Sequence, residues 1–213
     1  WRHALGTPAE ADVLVHQEDD ERLYLGVGTT KDDRFILLHL GSKVTDEVWC
    51  LAADDALGEF RVIEPRQQDI EYGVEHHGDR FFVVTNADDA EDFKLMEVPD
   101  TEPSRANWTE VIPHRPGVKL SGIDVHTDHL VVFERSEGVR HIRVRRLSDG
   151  DEHLIEQPEE VSTASGGSAE FDTNVMRYGY TSMVTPSSVF DYDMDTRQRV
   201  LLKQQPVLGG YDP

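Results

Sequence analysis

One metal-like grouping of side chains is Asp124-Val125-His126-Thr127-Asp128-His129, two carboxylates and two imidazoles within six residues. Such a set could hold a divalent cation if its side chains converged and outer partners fixed them. On a strand, side chains alternate between faces, so Asp124 and His126 share one side. Asp128 and His129 fall at the turn that follows, and turn residues are expected there rather than ligands. The neighbours His76 and His77 point to opposite faces of their strand and are read the same way. No Gly-x-Ser-x-Gly elbow offers a serine nucleophile, and the small-residue run from Ser162 to Ser168 has the types without the spacing. No glycine loop that would cradle phosphate and no cysteine cluster for zinc is present. Neither a metal, a cofactor nor a catalytic residue is therefore expected.

Charge narrows the partners. The 213 residues hold 42 acidic against 21 basic side chains, a net charge of -21. That field repels nucleic acid phosphates and anionic membranes and attracts cationic ligands. A solubilising surface is the plainer reading of the same numbers. Mean hydropathy is -0.52, and no apolar run approaches the roughly 18 residues of a membrane span. The opening Trp1-Arg2-His3 has neither an initiator Met nor the apolar stretch of a signal peptide, so the chain reads as an excised piece of a longer protein. A single cysteine, Cys50, excludes an internal disulfide and fits a reducing compartment, so a cytoplasmic location is expected. In its setting "EVWCL" it reads as a buried small hydrophobe.

What would position any of these side chains is a repeat. A turn, a leading residue and an apolar run recur with the leading position at Arg34, Arg80, His129 and Val175, polar in the first three, at intervals of 46, 49 and 46. Each is preceded by a strand-like phrase ("LYLGVGTT", "EYGVEHH", "LSGIDVH", "AEFDT"). Two more follow each one, beginning with "EVWCLA" and "FRVIE" in the first unit. The segments are short, rich in Val, Ile, Leu, Phe and Tyr, and separated by Gly, Asp, Asn or Pro. "FILL" and "FFVV" are apolar on both faces, as a strand covered on both sides must be. Four antiparallel strands per unit at this period is the blade of a β-propeller. The expected fold is therefore all-β: a propeller fragment of four four-stranded blades over 21–205 (21–66, 67–116, 117–160 and 161–205). Residues 1–20 read as two strand-like pieces left from a truncated blade, and "STASGGSAE" as a connection into the fourth. First strands of blades line a propeller's axis, which places Asp69, Glu71, Glu75, Asp124, Glu170 and Asp172 as candidate channel acids.

The last unit carries Arg177-Tyr178, Thr181-Ser182, Thr185-Pro186, the run Asp191 to Thr196 and Leu202-Lys203-Gln204. With Leu5-Gly6-Thr7-Pro8, Asp12, Glu71-Tyr72 and Arg80-Phe81, it resembles the prolyl oligopeptidase family of serine peptidases, most of all its oligopeptidase B-like members. The resemblance implies a seven-bladed propeller joined to an α/β-hydrolase domain with a Ser-Asp-His triad. Residues 206–213 would begin the linker to that domain. No position here matches a triad motif, so the fragment alone is expected to be inactive. The resemblance also implies that the propeller filters access of short peptides, cut after Lys or Arg, to the active site. Cationic short peptides and the hydrolase domain of the same chain are then the expected partners, and the channel acids would focus the peptides. Self-association is expected through the cut blade faces, exposed on "RFILLHL" and "VMRYGYTSM". Two rivals stay open: a scaffold propeller binding proteins on its rim, against which the Gly-His and Trp-Asp repeat signatures are missing, and a propeller enzyme with a central metal.

Overall fold

A computed structural model describes residues 1–55, 57–160 and 162–209; positions 210–213 of the expected linker lie outside them. Among the described residues sixteen strands form four sheets, each from one continuous stretch of chain and each in the order of its sequence. The first holds β1 (Tyr24–Thr29), β2 (Phe35–Gly41), β3 (Asp46–Ala52) and β4 (Arg61–Glu64); the second holds β5 (Tyr72–His77), β6 (Arg80–Thr85), β7 (Lys94–Pro99) and β8 (Thr109–Ile112). In the third are β9 (Val118–Val125), β10 (His129–Ser136), β11 (Val139–Arg146) and β12 (Glu152–Leu154), and in the fourth β13 (Ser162–Gly166), β14 (Val175–Ser182), β15 (Ser188–Asp193) and β16 (Gln198–Gln204). All pairings are antiparallel. These are propeller blades.

The recurring phrase is the reversal between a blade's first two strands. In the first blade Asp33 sits at φ 56°, where Asp is among the better-tolerated non-glycine residues. Thr30 Oγ1 donates to Asp32 Oδ1 at 2.7 Å and accepts the Phe35 N–H at 3.0 Å, which locks the turn. The second blade uses Gly78 at φ 67° in the same role.

The apolar second strands are covered on both faces. Phe81 and Val83 of β6 join Phe35, Leu37, Val48 and Cys50 of the first blade in one core, while Phe82 joins Leu120, Leu130 and Val132 of the third in another. Burying each such side chain contributes on the order of 1.5–3 kcal/mol. Polar joints add direction. The buried Tyr72 hydroxyl on β5 accepts the Val48 N–H at 2.7 Å and donates to Glu64 O at 2.6 Å, tying the second blade to both outer strands of the first. His76, fully buried, faces Asp32 of the first blade at 2.6 Å and Asp100 at 3.3 Å, with Phe35 and Phe81 packed edge-on against its ring.

Three sequence expectations need correction. The fourth blade's first strand is "STASG", not "AEFDT". Gly166 lets this thin strand press on its neighbour, since a Cβ there would lie 2.3 Å from Arg177 O. Glu170 and Asp172 therefore fall in the loop after β13. The N-terminal segment forms a single antiparallel bridge, Arg2 to Val13, rather than two strands. Finally, of the apolar residues in the two runs expected at the cut faces, only Met183, just past β14, is strongly exposed, at 92%. Phe35, Leu37, Leu38 and Leu40 of β2 and Met176, Tyr178 and Tyr180 of β14 are buried. The N-terminal Trp1, Val15 and His16 lie over the first sheet's outer face beside Leu38 and Leu51. Exposure falls on Tyr24 and Val27 of β1, at 83% and 74%, and on Val200, Leu201 and Leu202 of β16.

Candidate functional site

The inner strands meet at one end of the blades around a single lysine. Lys31, in the turn after β1, extends its side chain toward β9. There its ammonium pairs with Asp124 Oδ1 and lies 3.3 Å from His126 Nε2. Its own N–H donates to Glu75 Oε1 on β5 at 2.8 Å, and the His76 N–H donates to the same oxygen at 3.0 Å. The second Asp124 oxygen accepts the Ser168 N–H at 3.0 Å, from the loop after β13. Four consecutive blades thus contribute to one buried polar cluster. The side chains of Lys31, Asp124 and His126 are 10%, 11% and 0% exposed. Burial alone would raise the Asp124 carboxyl, but hydrogen bonds from His126, Lys31 and Ser168 outweigh it and hold it below its usual range. Glu75 goes the other way: burial pushes it up against its two N–H donors.

Beside this cluster, β5 and β9 flank an open groove of about 430 Å³. Its acids are Asp46 and Glu71 with one edge of Glu75, and Val74, Phe93 and Ile123 supply apolar walls. Asp46 starts β3 and accepts the Tyr72 N–H at 3.2 Å. Burial drives its carboxyl up to about 6, and the charge of Glu71 adds to that. Neither Asp46 nor Glu71 is paired with a cation among the described residues. A groove of this kind suits a cationic group carried on an aliphatic stem.

The six candidate acids separate accordingly. Glu75 and Asp124 lie on inner strands, but both are engaged from within the chain. Glu71 precedes β5 and lines the groove. Asp69 is exposed in the turn before it at φ 67°, its carboxylate accepting from Gln68. Glu170 and Asp172 are exposed in the β13–β14 loop, where Asp172 accepts from Thr127 Oγ1 at 3.3 Å. His77 Nε2 lies 2.8 Å from Thr127 O. A carbonyl only accepts, so this ring nitrogen donates. Asp128 is exposed in its turn, and His129, whose carbonyl accepts the His126 N–H at 2.8 Å, opens β10 with its ring facing Asp195 at 3.4 Å. Among the described residues no three His, Cys, Asp or Glu side chains converge as metal ligands. Two residues of the site escaped the sequence reading. Lys31 carried a signal, being the one lysine in the turns joining first and second strands. Asp46 carried none.

Comparison with known proteins agrees with this architecture. The sequence profile described as prolyl oligopeptidase, N-terminal beta-propeller domain, matches residues 1–205. The chain is 37% identical over 210 residues to dipeptidyl aminopeptidase BI of Pseudoxanthomonas mexicana, covering 99% of this chain and 29% of that protein. Protease 2 of Moraxella lacunata is 29% identical over all 213 residues, 30% of its own length. Among solved structures, oligopeptidase B from Trypanosoma brucei with covalently bound antipain superposes with a TM-score of 0.91 at 28% identity, covering 100% of this chain and 31% of that one. The chain thus spans about 30% of the length of the relatives it matches. It belongs to the prolyl oligopeptidase family, as the N-terminal β-propeller domain.

Proposed function

We propose that this propeller is the access-controlling part of a cytoplasmic serine oligopeptidase whose α/β-hydrolase domain the parent chain carries, and that it favours short peptides bearing Lys or Arg. The observation that carries this reading is the groove between β5 and β9. Two of its carboxylates, Asp46 and Glu71, pair with no cation among the described residues, and Val74, Phe93 and Ile123 give it apolar walls. A partly buried acid pair attracts a cation more strongly than exposed acids do, because less water screens it. The exposed acids, Asp69, Glu170 and Asp172, add a diffuse field.

The name of the 37%-identical relative, a dipeptidyl aminopeptidase, favours a second reading in which the cation is the peptide's own α-ammonium. One experiment separates the two. In the intact protein, Asp46→Asn with Glu71→Gln should lower kcat/KM several-fold at low salt, mainly through KM, with the loss shrinking as salt screens the field over about 10 Å at 0.1 M. If side chains are read, the loss follows Lys or Arg content and persists with N-acetylated peptides. If the α-ammonium is read, acetylation of wild-type substrate reproduces the loss. Unchanged kinetics on every cationic peptide would defeat both.

A further inference from the structure

We propose that Asp124, His126 and the Ser168 amide form a seat for a primary ammonium on an aliphatic stem, and that Lys31 is its resident occupant. The proposal does not depend on what the parent enzyme cleaves. An ordinary ion pair joins two flexible side chains at a surface and contributes little. Here the acceptor is built first. One Asp124 oxygen is fixed by the Ser168 N–H at 3.0 Å. The loop supplying that amide approaches through Gly167, at φ 153°, where a Cβ would lie 3.2 Å from the same carboxylate. The other oxygen is left for the ammonium, and His126, wholly buried, closes the side, its Nε2 donating to the Ser168-bonded Asp124 oxygen at 3.3 Å and lying equally near Lys31 Nζ. His126 Nδ1 has no partner, so no further polar group fills that flank.

Lys31 is held at both ends, its backbone N–H by Glu75 and its ammonium by Asp124. An ammonium is compact and fits beside the single Asp124 oxygen left free; a planar guanidinium needs a forked acceptor. The consequence is self-occupation. A nearly buried carboxylate on the inner strands is filled by the chain's own cation and withdrawn from anything that enters the axis. Removing the Lys31 side chain while keeping Asp124 leaves a vacant seat of defined chemistry.

The test is chemical rescue in the 213-residue chain. Lys31→Ala is melted with n-butylammonium, n-butanol or tetramethylammonium at equal concentration and ionic strength. At tenfold over its dissociation constant, n-butylammonium should raise Tm by about 3–6 °C. Butanol, which lacks the charge, and tetramethylammonium, which lacks donors and stem, should shift it by less than about 1 °C. Wild type should not respond, because Lys31 fills the seat, and Lys31→Ala with Asp124→Asn should lose the response. Equal shifts from n-butylammonium and tetramethylammonium, or equal shifts in wild type and Lys31→Ala, would overturn the proposal. Should Lys31→Ala not fold, Lys31→Met keeps the stem and removes only the ammonium. Its amide exchange over residues 118–125 should accelerate at least tenfold, and unchanged exchange there would likewise overturn the seat.

Discussion

Asp46→Asn should stabilise this protein at neutral pH and do almost nothing at pH 4. Burial raises the Asp46 carboxyl from its usual 3.8 to about 6, so the folded state holds its proton more tightly than the unfolded chain. A group raised in this way leaves stability intact below 3.8 and erodes it as pH rises toward 6, after which the loss is constant. At 1.36 kcal/mol per tenfold change in affinity, the gap from 3.8 to about 6 corresponds to about 3 kcal/mol. Asp46 keeps part of its surface in the open groove, and solvent screening takes away roughly half, leaving about 1.5 kcal/mol. Asn presents the same oxygen to the Tyr72 N–H, bonded at 3.2 Å, without the charge. For a chain of this size that is a Tm gain of about 3–6 °C at pH 8. Thermal melts of both proteins from pH 4 to pH 8 should give curves that coincide at the acid end and diverge through pH 6. A variant less stable than wild type at pH 8, or equally more stable at both ends, would refute the reasoning. Under the function proposed above, the gain is expected to come with weaker capture of cationic peptides.

Three further outcomes follow from the joints between blades. Tyr72→Phe orphans the Val48 N–H and the Glu64 carbonyl in the first-to-second blade contact, and should cost about 2–3 kcal/mol by urea unfolding with an unchanged m-value; a cost under about 0.5 kcal/mol would show that water replaces the hydroxyl. Burial lowers the His129 imidazole, with Asp195 opposing, so its contribution is whole above pH 6.5 and is lost as pH falls through and below that value; His129→Gln should flatten the acid limb of the stability profile, and an unaltered limb would speak against it. The exposed Tyr24, Val27 and Met183, the last at 92%, should make the isolated chain self-associate at moderate salt, where charge repulsion is screened; light scattering that finds only 24.1 kDa monomers would contradict this.

The propeller was legible because its second strands are. "FFVVT" sits between two packed sheets and "FILLHL" between one sheet and the N-terminal segment, and burial on both faces leaves a run that no exposed element would carry. β13 was not legible, since "STASG" is held by its ladder to β14 and by a close backbone approach at Gly166, neither of which selects apolar residues. Glu75 and Asp124 could be assigned to inner strands from the repeat alone. That both are already satisfied could not, because the lysine that engages Asp124 lies 93 residues earlier. Asp46 opens an ordinary strand in the sequence, and only the return of β5 beside it turns that position into the wall of a groove.

Because every sheet is drawn from one unbroken stretch of chain, almost all strand pairing closes short loops, and contact order within a blade is low. Each blade can zip up as its last strand leaves the ribosome, before the next has been made. The Lys31–Asp124 contact is different, since it must wait for the third blade, and the Ser168 amide waits for the fourth. The seat is therefore a late assembly step. Substitutions at Asp124 should speed unfolding and leave the folding rate nearly unchanged, whereas a slowed folding limb would place the axis in the nucleus. The same ordering makes the axial cluster a check on completeness: a chain interrupted before the fourth blade has formed strands but an unfinished centre.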